Sequence, residues 1–134
     1  MINLPVDEAA AFDAMAILMV KQQRRLSVIH EMVALEKSIR AQIGPKFTDE
    51  VILSCEFADL VKANRKTFDM VAMASKDECR ASEVDAANQS RYAAKRALQE
   101  RFWPSNPLTE VKAQRPASLP TEPITPTVPL NGGA

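Results

Sequence analysis

The sequence predicts an all-α fold, because residues that break helices are confined to a few places and apolar residues recur at helical intervals. Between residues 7 and 108 the chain has one glycine and three prolines: Gly44, Pro45, Pro104 and Pro107. A three-four apolar spacing runs through the first third of the chain: Phe12, Met15, Met19, Leu26, Ile29 and Val33. We predict an antiparallel helical hairpin with a third helix, an elongated three-helix bundle, followed by an extended proline-rich C-terminal arm.

The first helix is predicted over residues 7–43. Asp7 is a suitable N-cap, and the glycine-proline pair of "IGPK" is a common signal for a helix end. A second apolar stripe occupies the later half of this helix: Val28, Met32, Leu35, Ile39 and Ile43. Two stripes indicate contact with more than one neighbour.

The second and third helices are predicted over residues 49–78 and 82–102, capped by Thr48 and Ser82. The short "GPKF" link should fold the second helix back along the first. The stretch "SKDECRA" either separates helices two and three or forms a polar turn within one long helix. "FWPSNP" should end the last helix, so the helical domain is predicted to span residues 1–112.

Residues 113–134 are predicted to form an extended arm. Four prolines stand three residues apart, which matches the three-residue turn of polyproline II and aligns them on one edge for roughly 28 Å. Basic residues that usually flank motifs bound by signalling domains are missing at positions 117 and 126. The predicted partner contacts of the arm are Pro120, Pro123, Ile124, Pro126, Val128, Pro129 and Leu130.

Composition disfavours nucleic acid and membrane as partners. Seventeen basic residues balance seventeen acidic ones, so the field that draws basic proteins onto polyanions is missing. The longest apolar stretch, residues 14–20, is about a third of the length that a membrane crossing needs. The N-terminus lacks the pattern of a standard secretion signal. We therefore expect synthesis in a cytoplasm.

No catalytic, cofactor-binding or metal-binding residue is predicted. His30 stands in "HEMVA", which lacks the second histidine of a zinc-protease helix. Cys55 and Cys79 have neither the close spacing nor the companion ligands of a metal site. Both are interpreted as small, buried or half-buried thiols that do not pair with each other.

Protein partners are predicted instead, with Met15, Met19 and Trp103 as contacts on the helical body. Methionine packs against imperfect complements, and a large aromatic residue at a helix end either seals the core or fills a partner's pocket. The third helix also combines Arg91, Lys95, Arg96 and Arg101 with Tyr92. That mixture could touch phosphate or a base, but we favour arginines that meet acidic residues on the second helix or on another subunit.

Three stretches resemble an uncharacterised family of small helical proteins found in phage genomes and in bacterial surface-glycan gene clusters. They are "FDAMAILMVKQQRR", "ANRKTFDMV" and "NQSRYAAKRALQERFWPSNPLTEVKAQ". The matching positions are Asp13, Ile17, Leu18, Lys21, Ala63, Asn64, Arg65, Lys95, Arg96, Leu108, Glu110 and Lys112. Met19 stands where the family often has an acidic residue, and the proline arm lies outside the pattern. The resemblance implies a helical body and a phage setting, and no catalytic residue.

These observations predict a non-enzymatic structural or assembly protein, a bacteriophage virion component bound to a capsid or tail. It would be made in the host cytoplasm and would bind larger protein assemblies, with self-association as a further option. The alternative is a cytoplasmic, non-catalytic adaptor or regulatory subunit of an enzyme complex, for example in glycan synthesis.

Overall fold

The computed structural model describes residues 5–108, and this part of the chain is all-α. Five helices occur within it, with no strand among the described residues. They are α1 (Glu8–Gln23), α2 (Ile29–Ile43), α3 (Pro45–Ile52), α4 (Cys55–Ala74) and α5 (Ala81–Phe102). The all-α prediction is confirmed, whereas the prediction of three helices is wrong for this part of the chain.

The predicted helix 7–43 is two helices, separated by a turn at residues 24–28. The N–H of Leu26 donates to the carbonyl of Lys21 at 2.9 Å, and Arg25 has a left-handed backbone with φ of 65°. Outside the helix, Arg24 forms a two-pronged ion pair with Asp69 of α4, with its shortest contact at 2.7 Å. No glycine or proline marks this turn, so a contact between distant residues helps to place it.

Gly44 alone links α2 to α3. Its φ of 92° and ψ of 144° suit glycine, and Pro45 then takes the first helical position, where a missing N–H costs nothing. The predicted end of the first long helix is therefore confirmed. The prediction that Thr48 caps the next helix is wrong, because Thr48 lies inside α3 and its hydroxyl donates to the Gly44 carbonyl at 2.7 Å.

The predicted helix 49–78 is also two helices, α3 and α4. Ser54 separates them: its hydroxyl oxygen accepts from the N–H of Phe57 at 3.1 Å and so caps α4. At the other end, Asp77 has a left-handed φ of 57°, and the N–H of Glu78 donates to the carbonyl of Met73. "SKDECRA" therefore separates two helices.

The start of α5 differs slightly from the prediction. Arg80, not Ser82, is the N-cap residue, and the carboxylate of Glu83 accepts from the N–H of Arg80 at 2.8 Å. Glu83 is therefore the acidic residue that reaches back to the start of the helix. The predicted end of the helix before "WPSNP" is confirmed.

The core lies where α1, α4 and α5 pack against one another, with α4 and α5 forming the most extensive pair. Its fully buried large side chains include Phe12, Val20, Leu60 and Leu98. An aromatic group adds α3 to this core, since Phe47 lies edge-on to Trp103 with ring centres 5.6 Å apart. Helix α2 packs mainly on α1 and α3, and it contributes Ile39 to the core.

Candidate functional site

An exposed apolar surface runs along the start of α2. It consists of Leu26 in the preceding turn and of Ile29 and Val33, which are 44%, 41% and 55% exposed. Ile29 and Val33 are four residues apart, so they lie on the same side of the helix. We call these three residues the α2 face. Since large apolar side chains gain free energy when they leave water, the α2 face is a candidate protein-binding surface.

The second apolar stripe of α2 lies against the protein. Ile39 is buried, and Leu35 and Ile43 are partly buried against the core cluster. This stripe holds α2 against the protein. The α2 face does not take part in that contact and is exposed to solvent. The two stripes thus have different surroundings.

A buried hydrogen bond connects α1 to α4. The side-chain amide of Asn64 donates to the carboxylate of Asp13 at 2.8 Å and to the carbonyl of Leu60 at 3.0 Å. Both polar side chains are buried. A buried polar group is costly without a partner, so this pair fixes how α1 and α4 lie against each other.

Gln99 connects the start of α1 to the end of α5. Its side-chain oxygen accepts from the N–H of Ala9 at 2.8 Å, and its amide donates to the Glu8 carboxylate and to the Asn106 carbonyl. Gln99 therefore satisfies a backbone donor in the first turn of α1, where the side chain of Asp7 forms no capping hydrogen bond. Sequence reasoning missed Gln99 because its partners in α1, Ala9 and Glu8, are 90 and 91 residues away.

A cavity of about 180 Å³ lies between α1, α4 and α5. Its lining is mainly apolar, with Ile17, Val20, Phe68 and Val71. Three polar side chains complete it: Asn64, Thr67 and Arg91. The Nε atom of Arg91 is fully buried and has no hydrogen-bond partner. The guanidinium lies 5.1 Å from the ring centre of Tyr92, and among residues 5–108 no acidic side chain pairs with it.

The structure places the predicted body contacts mostly inside the protein. Met15 is 3% exposed and belongs to the core, so it is not available to a partner in this fold. Met19 and Trp103 are partly buried against the same core. Trp103 packs beside Phe12 at 6.0 Å between ring centres, as expected for a residue that seals the core. The predicted arm contacts Pro120, Pro123, Ile124, Pro126, Val128, Pro129 and Leu130 lie outside the described residues.

The basic residues of α5 do not form one exposed surface. Lys95 is buried and lies 5.5 Å from the ring centre of Tyr92. Arg101 forms an ion pair of 2.6 Å with Glu56 of α4, which is the arrangement favoured from the sequence. The pKa of Glu56 is held below its ordinary value, first by a backbone hydrogen bond at that residue and then by Arg101.

The remaining candidates for chemistry are separate from one another. His30 is exposed on α2, and both cysteines are free thiols. Cys79 is half-buried as predicted, whereas Cys55 is exposed at the start of α4, so the predicted burial of Cys55 is wrong. Burial raises the pKa of the Cys79 thiol, and the nearby charges of Glu83 and Glu78 add to the shift. Within residues 5–108, no cluster of His, Cys, Asp or Glu could hold a metal ion, and no helix is long and apolar enough to cross a membrane.

No family model, curated protein or solved structure matches the chain. The resemblance to small helical proteins of phage and surface-glycan clusters therefore stays a prediction. Three of its twelve positions, Asp13, Asn64 and Lys95, are buried polar residues of α1, α4 and α5. The last two positions, Glu110 and Lys112, lie outside the described residues.

Proposed function

We propose that this chain is a non-catalytic assembly protein, a bacteriophage virion component that binds a capsid or tail protein through the α2 face. The observation that carries the proposal is the exposed apolar surface of Leu26, Ile29 and Val33 on a helix that is already held by its other stripe. The resemblance to phage-encoded helical proteins supports the virion setting. The protein would be made in the host cytoplasm and retained in the particle.

The α2 face by itself would bind weakly. Covering three half-exposed aliphatic side chains is worth about 1 kcal/mol each, and a dissociation constant of 1 mM already needs about 4 kcal/mol. A second contact on the same chain would raise the apparent affinity strongly. We propose that residues 113–134 form the extended proline-rich arm and supply this contact, through Pro120, Pro123, Ile124, Pro126, Val128, Pro129 and Leu130.

The α2 face is tested by a double substitution that leaves the core untouched. Ile29→Lys with Val33→Lys should lower incorporation into purified particles at least about tenfold, since two exposed apolar contacts become charged. The matched control is Leu53→Lys, because Leu53 is 85% exposed in the turn between α3 and α4. Quantitative mass spectrometry of gradient-purified particles measures incorporation, and circular dichroism of each purified variant checks the fold.

Two outcomes would contradict the proposal. If purified particles do not contain the unchanged chain at a fixed ratio to a capsid or tail protein, the chain is not a virion component. Equal incorporation of the double variant and the Leu53→Lys control removes the α2 face as the binding surface. Deleting residues 116–134 should also weaken incorporation at unchanged helicity, and unchanged incorporation would remove the arm from the proposal.

A second candidate function is a non-catalytic cytoplasmic adaptor or regulatory subunit of an enzyme complex in glycan synthesis. The resemblance favours it, because the similar proteins also occur in surface-glycan gene clusters. The two candidates differ in their expected partner. Co-purification of the chain with a glycosyltransferase, lost in the Ile29→Lys, Val33→Lys variant, would support the adaptor function over the virion function.

A further inference from the structure

We propose that the cavity between α1, α4 and α5 binds a small monocarboxylate with an apolar chain of about six carbons, held by Arg91. The cavity, its lining and the unpartnered Nε of Arg91 carry this inference. It concerns a different part of the molecule from the α2 face, and it does not depend on the proposed function.

The size and lining of the cavity set the apolar part of the ligand. Its 180 Å³ is slightly larger than an engineered cavity of about 150 Å³ that binds benzene. Ile17, Val20 and Phe68 supply most of an apolar wall. Val71, which also lines the cavity, is half exposed and so gives access from solvent. A short aliphatic chain fits this space and this surface.

Arg91 sets the charged part of the ligand. Its Nε–H is buried, yet no acceptor in the described part of the chain takes this hydrogen. A guanidinium stays protonated, so the unfavourable state cannot be relieved by loss of a proton. A ligand carboxylate can accept from Nε–H and from a neighbouring N–H of the same guanidinium, which is the two-pronged geometry that arginine prefers.

The other polar groups of the cavity favour one negative charge over two. The side-chain N–H groups of Asn64 already serve Asp13 and Leu60. The hydroxyl hydrogen of Thr67 is directed to backbone carbonyls, at 2.9 Å to Ala63 and 3.2 Å to Ala87. Arg91 is therefore the charged donor that remains, and one guanidinium matches one carboxylate. A phosphate dianion would need further donors.

The test is a titration of the full ¹⁵N-labelled chain with sodium hexanoate, followed by NMR of the arginine Nε–Hε signals. Hexanoate should shift the Arg91 signal, since a carboxylate hydrogen bond changes the electronic environment of Hε, together with backbone signals of Ile17 and Phe68. Arg91→Gln should weaken binding roughly 10- to 100-fold, because a charge-assisted hydrogen bond is lost. The matched control is Lys62→Gln, which removes an exposed positive charge from α4, one of the helices that line the cavity. This variant should bind hexanoate as the unchanged chain does.

Further probes separate the contributions of charge and chain. To the unchanged chain, 1-hexanol should bind at least about tenfold more weakly than hexanoate. To the Arg91→Gln variant, 1-hexanol and hexanoate should bind equally. Sodium phosphate at equal ionic strength should leave the cavity signals unchanged. Arg91→Lys keeps the positive charge but not the two-pronged geometry of the guanidinium, so it should still bind hexanoate, more weakly than the unchanged chain. Binding that remains in this variant shows that the loss of affinity is not a loss of folding. Equal binding of hexanoate and hexanol, an unshifted Arg91 signal at saturation, or a phosphate shift as large as that from hexanoate would each overturn the proposal.

Discussion

Helices α1 and α2 share one apolar pattern in the sequence but differ in burial. In α1 the stripe enters the core, where Phe12 and Met15 are buried. In α2 its continuation, Ile29 and Val33, is exposed. The three-four spacing is the same in both halves, so periodicity predicts a helix with an apolar side but not whether that side meets the rest of the chain.

The turn at residues 24–28 produces this difference. A straight helix would have carried the stripe on in the direction of α1. The left-handed backbone of Arg25 and the ion pair between Arg24 and Asp69 redirect the chain instead. Helix α2 then packs through its second stripe, and the α2 face turns away from the core.

The greatest loss of stability is expected in α1, and an equivalent substitution in α2 provides the comparison. Phe12→Ala removes a fully buried ring and should lower the free energy of unfolding by about 3–5 kcal/mol, since it leaves a cavity in the core. Val33→Ala should change it by less than about 0.5 kcal/mol, because Val33 is exposed. Urea denaturation of the purified variants measures both. Similar losses at the two positions would mean that α2 is as deeply packed as α1.

A smaller loss of stability is expected when the buried hydrogen bond between α1 and α4 is removed. Asn64→Ala leaves the buried carboxylate of Asp13 without this donor and should cost about 2–3 kcal/mol. Asn88→Ala, at a half-buried asparagine of α5, is the control and should cost less than about 0.5 kcal/mol. The same denaturation assay applies, and equal effects at the two asparagines would contradict a structural role for the Asn64–Asp13 hydrogen bond.

The junction after α2 should respond to a single added carbon. Gly44→Ala places a Cβ on a backbone with φ of 92°, and the cost should be about 1–2 kcal/mol from backbone strain. Steric clash with more distant parts of the protein does not add to it, since no such atom lies within 4 Å of that Cβ. Thermal unfolding followed by circular dichroism measures the loss. Unchanged stability would show that the link between α2 and α3 readjusts freely.

The smallest effect is expected at the exposed ion pair between Glu56 and Arg101. The pKa of Glu56 in the folded protein lies below its ordinary value, so its contribution to stability is present above the pKa of the unfolded chain. That contribution is lost as the pH falls through the folded pKa. Glu56→Gln should therefore flatten the stability profile in the acidic range below about pH 4.5 and leave its shape near neutrality unchanged. A profile identical to that of the unchanged chain would contradict the lowered pKa of Glu56, which a backbone hydrogen bond and then Arg101 produce.

Several helix ends were predictable because their signals are local. Gly44 and Pro45 ended the first long segment, and "WPSNP" ended α5 where the pattern placed it. The breaks after Gln23 and after Ile52 were not predicted. The first of these depends on Asp69, which is 45 residues away, whereas the second has a local signal in Ser54 that was not recognised.

The candidate sites were also only partly predictable from the sequence. The apolar residues of the α2 face were visible in the sequence as part of a stripe, but their exposure was not. Arg91 was recognised as one of several basic residues on the last helix. Its buried Nε and its cavity depend on Ile17 and Phe68, which approach only after folding.

The helical structure of residues 5–108 was predictable from the sequence, because helix breakers are scarce there and apolar residues repeat with the helical period. Contacts between helices determine which apolar stripe is buried, which polar side chains meet, and where the cavity lies. These two kinds of feature differ in the distance along the sequence over which their interactions act. Helix propensity, and caps such as Ser54, act within a few residues, whereas burial and the pairing of Asp13 with Asn64 join positions 51 residues apart.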